Sequence, residues 1–160
     1  MTAPRLAGPW SHERIERFVH EQAIPLRLGC RSPSGWPLVI SHWYLYRDGA
    51  FWCATRATAA VVRHLRADPR CSFEIATNGL PYRGVRGQAR AHLVPEAGTT
   101  ILRDLIHRYL GSEQSDFAQW LLSRAADETA IRLEPVRLHS WDFTRRMASA
   151  GLGSAACGTA

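Results

Sequence analysis

The sequence predicts a mainly β protein of the α+β kind: an antiparallel barrel of six or seven strands with short helices packed on its outside. Three observations carry this. Short apolar stretches with period-two alternation recur along the whole chain, and hairpin-like turns join most of them. The regular alternation of strand and helix that a doubly wound parallel sheet needs is missing. The 160 residues, 46% of them hydrophobic and 21% charged, suit one domain with a single core.

"SHERIERFVHEQ" reads as the first helix, with Ser11 as its N-cap and Ile15, Phe18 and Val19 on one face. Pro25 ends it. "PLRLGC" alternates as a strand, with Leu26, Leu28 and Cys30 on one side, and the turn formers of "RSPSGWP" follow. "LVISHWYLY" is a longer, aromatic strand. Alternation puts Ser41, Trp43 and Leu45 on one face of it and Ile40, His42 and Tyr44 on the other. "RDG" supplies a hairpin turn into "AFWCAT".

After Thr55 the period becomes helical, with Val61, Val62 and Leu65 on one side, until Asp68 and Pro69 stop it. "RCSFEIA" and "RGVRGQARAHLV" are strands around the loop "TNGLPY", and the glycines of the second imply close approach to its backbone. Residues 96 to 110 form an amphipathic helix closed by Gly111, and a shorter helix spans about 117 to 122. "AIRLEP" and "VRLHSWDF" read as two final strands. The domain therefore covers residues 11–146, between a tail of residues 1–10 and a low-complexity tail, 147–160, of little expected order.

The formal net charge is +6, and all 20 basic residues are arginine. They are scattered, with no run longer than Arg145–Arg146, which argues for a small anionic ligand and against nucleic acid. No apolar run approaches a membrane span and no signal-peptide core is present, so a cytoplasmic protein is expected. Cys30, Cys53, Cys71 and Cys157 have no zinc or redox spacing, and the histidines form no metal motif. Cys53, in mid-strand, reads as packing. No nucleophile–base–acid constellation is visible.

Four stretches in order, "PLVISHWYLYRDGAFWCAT", "VVRHLRADPRCSFEI", "PYRGVRGQARAHLV" and "LEPVRLHSWDF", resemble the pyridoxamine 5′-phosphate oxidase-like family of flavin-binding split barrels. The resemblance covers about residues 12 to 143 and implies a split barrel. It also implies a homodimer with FMN, or in some members coenzyme F-420, at the subunit interface. The strand ending at Thr55, the turn after it and the start of the next helix would hold the cofactor phosphate, through Thr55, Arg56 and Thr58.

In many members a serine and a lysine stand early in that helix. The aligned positions here are Ala59 and Val61, which leaves Arg56 or Arg63 to compensate. The resemblance further implies contact of His42, Trp43 and Tyr44 with the flavin ring, and of Arg83 or Arg86 with the cofactor edge or the substrate entrance. Trp141 is assigned to the core or to a neighbouring subunit's site. The implied activity is flavin- or deazaflavin-dependent oxidoreduction of a small organic substrate. Pyridoxamine 5′-phosphate oxidation itself is not expected, because the C-terminal tail does not resemble the substrate-binding segment of the classical enzymes. The alternative is a flavin- or haem-binding protein without turnover, with His42 or His139 as the haem ligand.

Overall fold

The computed structural model describes residues 3–150. The chain opens with a short strand, β1 (Arg5–Ala7), inside the stretch that reads as a tail in the sequence. Helix α1 (His12–Glu21) begins where Ser11 predicts, since the Ser11 hydroxyl accepts from the Arg14 amide at 3.3 Å. Ile15, Phe18 and Val19 are its buried face, and burying each stabilises the fold by about 1.5–3 kcal/mol.

Strands β2 (Leu26–Arg31) and β3 (Pro37–His42) form an antiparallel hairpin. The stretch expected to run on as one long strand breaks after His42, and β4 (Leu45–Arg47) pairs with a different neighbour. The break has its cause in a contact distant in sequence. The Tyr44 amide donates to the Tyr109 hydroxyl at 3.3 Å instead of to a strand, and Tyr109 donates onward to the Ile24 carbonyl. Asp48 and Gly49, at φ 53° and 73°, make the tight turn into β5 (Ala50–Arg56), as "RDG" predicts.

Helix α2 (Ala60–Ala67) follows, then β6 (Arg70–Ala76), β7 (Arg83–Val94) and a 3₁₀ turn that leads into α3 (Gly98–Leu110). Gly111 closes α3 at φ 79°. Helix α4 (Asp116–Leu122) precedes β8 (Glu128–Asp142), and α5 (Thr144–Ser149) runs into the stretch read as an unordered tail. The rest of that tail, with Cys157, lies outside the described residues.

The strand order is β3-β2-β6-β7-β8-β5-β4, antiparallel throughout, with β1 added parallel to β8. This is an α+β split barrel. The expected pair of final strands is the single strand β8. Pro135 sits between the part of β8 that pairs with β5, up to Leu133, and the part that pairs with β1, from Arg137. The β7 ladder is bulged at the same place, so a residue without an N–H interrupts β8 without ending it. The main core lies inside the barrel around Tyr44, Phe51, Phe73, Ile75 and Leu133, with α1 and α2 packed on it. Smaller clusters join α3 and α4 to β5 and β8.

Candidate functional site

A groove of about 330 Å³ opens between the β3–β4 break, the end of β5 and helices α3 and α4. That volume is at the small end of ordinary ligand sites. Its floor is Ala54 and Thr55 of β5, with Leu102 and Leu105 of α3 behind. Its walls are aromatic. Trp43 stacks flat on Tyr109, with ring centres 4.9 Å apart, and meets the edge of Phe117 at 6.2 Å. Phe117 stacks with Trp120 at 6.0 Å, and the Arg124 guanidinium lies over Trp120 at 4.7 Å.

Because the strand breaks after His42, alternation fails there. His42 and the adjacent Trp43 both line the groove, although period two assigns them to opposite faces. The His42 Nε2 atom is buried and has no hydrogen-bond partner, and burial holds its pKa below the ordinary value. His42, a residue of the groove lining, therefore carries one buried and unsatisfied ring nitrogen. An unpaired buried polar atom costs about 1–3 kcal/mol, which a ligand there would recover.

At the mouth, Thr55 is half-buried and Arg56 exposed, with Arg56 3.8 Å from Asp127. Glu128, opposite Arg56 in the β5–β8 ladder, also lines the groove, and burial raises its carboxyl above the usual range. Arg124 adds a second cation. Ala59, not Thr58, is the N-cap of α2; it makes no side-chain cap, and no acid stands in the first turn.

Of the residues expected around a cofactor, the groove collects His42, Trp43, Thr55 and Arg56. Thr58 and Arg63 are exposed and do not line it. Tyr44 and Val61 stand apart from the groove lining. Tyr44 is fully buried in the core, its hydroxyl 2.8 Å from the Val19 carbonyl and 2.9 Å from that of Gln22, so its side chain packs under α1. Val61 is buried among the core residues that α2 presents to the barrel.

Arg83 and Arg86 also stand away from the groove. Arg83 lies beside Trp10 and Arg14, and Arg86 lies on the outer sheet face with its guanidinium 5.9 Å from the half-buried Trp141 ring. The glycines of β7 do mark close approach, but by the chain itself. A Cβ at Gly87 would meet the Phe73 ring, and one at Gly84 the Ile75 carbonyl and Trp141. Cys53 is fully buried and its thiol pKa is pushed up by burial, as packing requires. Among the described residues no cluster of metal-ligating side chains occurs, and no helix is long and apolar enough to cross a membrane.

Sequence reasoning missed the outer wall. Phe117, Trp120 and Leu121 have the spacing of a core-facing stripe, yet Phe117 and Trp120 are 51% and 53% exposed and turn toward the groove.

The sequence profile of the pyridoxamine 5′-phosphate oxidase family matches residues 11–142. The chain belongs to this family. No functionally curated protein matches it. Among solved structures, a conserved hypothetical protein of Mycobacterium tuberculosis is 26% identical, with a TM-score of 0.75 over 99% of both chains. An F-420 reductase is similar at 19% identity and TM-score 0.67, over 81% of this chain and 97% of the other. The haem storage protein HutZ of Vibrio cholerae is 18% identical with TM-score 0.61, over 79% and 92%. The last two establish the shared fold.

A planar ring fits the groove. The aromatic walls offer stacking faces, and His42 Nε2 offers a hydrogen-bond partner. The phosphate end is less well provided. Arg56, Arg124 and Thr55 favour an anion, whereas Glu128 and Asp127 oppose one.

Proposed function

We propose that this family member binds FMN or coenzyme F-420 in the groove and works as an oxidoreductase on a small organic substrate, as a cytoplasmic homodimer. The observation that carries the reading is the buried, unpartnered Nε2 of His42 in the lining of an aromatic-walled groove whose mouth is the Thr55–Arg56 turn. The fold shared with an F-420 reductase supports it. When bound, the cofactor would supply hydride or electron transfer. The chain's own residues would do the rest. Trp43 and Trp120 flank the ring and exclude water, His42 holds a polar ring atom, and Arg56 and Arg124 attract the anionic tail while Thr55 donates a directed hydrogen bond. A second copy covering the exposed Phe117 and Trp120 would complete the enclosure.

The same imidazole supports a second reading, haem binding, because a neutral histidine nitrogen is a common metal ligand. The visible spectrum of protein reconstituted with each cofactor separates the two.

Titration of FMN, F-420 and riboflavin tests the first reading. Arg56→Ala is expected to weaken the phosphorylated ligands by roughly ten- to a hundredfold, from loss of about 1.5–3 kcal/mol. Riboflavin, which lacks the phosphate, should be barely affected. Thr55→Val should weaken the phosphorylated ligands without lowering the salt dependence of binding. Silence of both variants removes the turn from the site.

A further inference from the structure

We propose that Glu128 selects the charge of the ligand tail, so that the groove favours a ring whose tail carries one negative charge, as a phosphodiester does, over one ending in a phosphate monoester dianion. The inference rests on the flavin reading above and narrows it.

Among the described residues, Arg56, Arg124 and Glu128 are the charged side chains of the groove lining. Arg56 already has a carboxylate beside it, that of Asp127 at 3.8 Å. Arg124 lies over the Trp120 ring, and no described carboxylate stands within 4.0 Å of it. Glu128 is half-buried, and no arginine or histidine nitrogen of the described residues comes that close to its carboxylate. Asp127 is 64% exposed, so water screens its charge more than that of Glu128. Two cations against one half-buried and one screened carboxylate leave room for one negative charge and not for two.

The backbone adds little to hold a dianion. In the turn between β5 and α2, the Ala57 amide donates to the Asp127 carbonyl at 2.8 Å and the Ala59 amide to the Arg56 carbonyl at 2.9 Å, so both donors are taken. The place of Glu128 is fixed as well. It is paired with Arg56 across β5 and β8, and its carbonyl lies against Gly98 at the start of α3, where a Cβ would overlap it. A carboxylate so held repels each further negative charge at the mouth, and its partial removal from water strengthens that repulsion.

Fluorescence titration of the full chain at about pH 8 with three ligands that share one ring tests this. Riboflavin has an uncharged tail, its cyclic phosphodiester carries one charge, and FMN is a dianion above a second phosphate pKa of about 6. The wild type is expected to bind the cyclic diester at least tenfold more tightly than FMN. Glu128→Gln should strengthen FMN at least tenfold relative to the diester, with riboflavin as the reference for ring binding. The wild-type comparison needs no variant, so it stands even if Glu128→Gln fails to fold. Equal affinity for the two esters, or tighter binding of FMN, overturns the selection and leaves the flavin reading intact. A folded Glu128→Gln protein that keeps the wild-type ratio does the same. Failure of all three ligands to bind overturns the flavin reading and the selection together.

Discussion

Glu128 is the groove residue whose chemistry runs against its neighbours' task. Burial raises its pKa, while Arg56 and Arg124 pull it down and Asp127 pushes it up. A carboxyl whose pKa is raised by folding opposes folding when it is ionised. That penalty is absent below its unfolded pKa and fully present above its folded one. Glu128→Gln is therefore expected to raise the thermal midpoint at about pH 7–8 and to leave it unchanged near pH 3, since unfolded glutamate titrates at about 4.3. Equal midpoints of the two proteins at every pH would show that the arginines cancel the cost of burial. At this scale part of the groove lining was legible in the sequence. Thr55, Arg56, His42 and Trp43 follow from the family resemblance, and for Thr55 and Arg56 their place between an apolar strand and a helix adds a chemical reason. Tyr44 stands apart from that lining, and nothing local announces that its hydroxyl serves the end of α1, beside an arginine more than sixty residues away. The Arg108 guanidinium donates there to the Val19, His20 and Gln22 carbonyls at 2.8–3.0 Å.

Among the elements, α3 decides how tightly the groove's rear wall sits on the barrel. Its first residue, Gly98, is buried where a Cβ would overlap the Glu128 carbonyl and crowd the Thr129 amide. The obstacle is backbone, so neither side can yield cheaply. Gly98→Ala is expected to destabilise the fold by about 1–3 kcal/mol and to displace α3 outward. A lowered denaturation midpoint with an unchanged denaturant slope is the expected result. An unchanged midpoint would mean that α3 is free to shift. The helices and hairpins were legible because their signals are local: Ser11, the Asp48–Gly49 pair, Gly111 and the Asp68–Pro69 stop. Two boundaries were not. The break between β3 and β4 is made by the Tyr109 hydroxyl, and the continuity of β8 through Pro135 by its change of partner from β5 to β1. Both depend on residues distant in sequence, which period and propensity do not register.

At the scale of the whole molecule, exposed aromatic surface speaks to assembly. Trp36, Phe117 and Trp120 are 77%, 51% and 53% exposed, which is more than a small barrel needs to leave in water. Light scattering at micromolar concentration is expected to return twice the chain mass, and Phe117→Ser with Trp120→Ser should shift it toward the monomer. A monomer mass for the wild type would leave those rings to the ligand alone. The position of β8 bears on how the molecule is made. Among the described strands, the one that joins β7 to both β5 and β1 is the last to be synthesised. Until residues 128–142 emerge, β5 and β7 have open edges, and the contacts that close the sheet span most of the chain. Closure of the sheet therefore waits until β8 has been made, and contacts of such high sequence separation slow it even then. A nascent chain stalled before Glu128 offers two unpaired strand edges to its neighbours, and so a template for aggregation that the finished protein does not have.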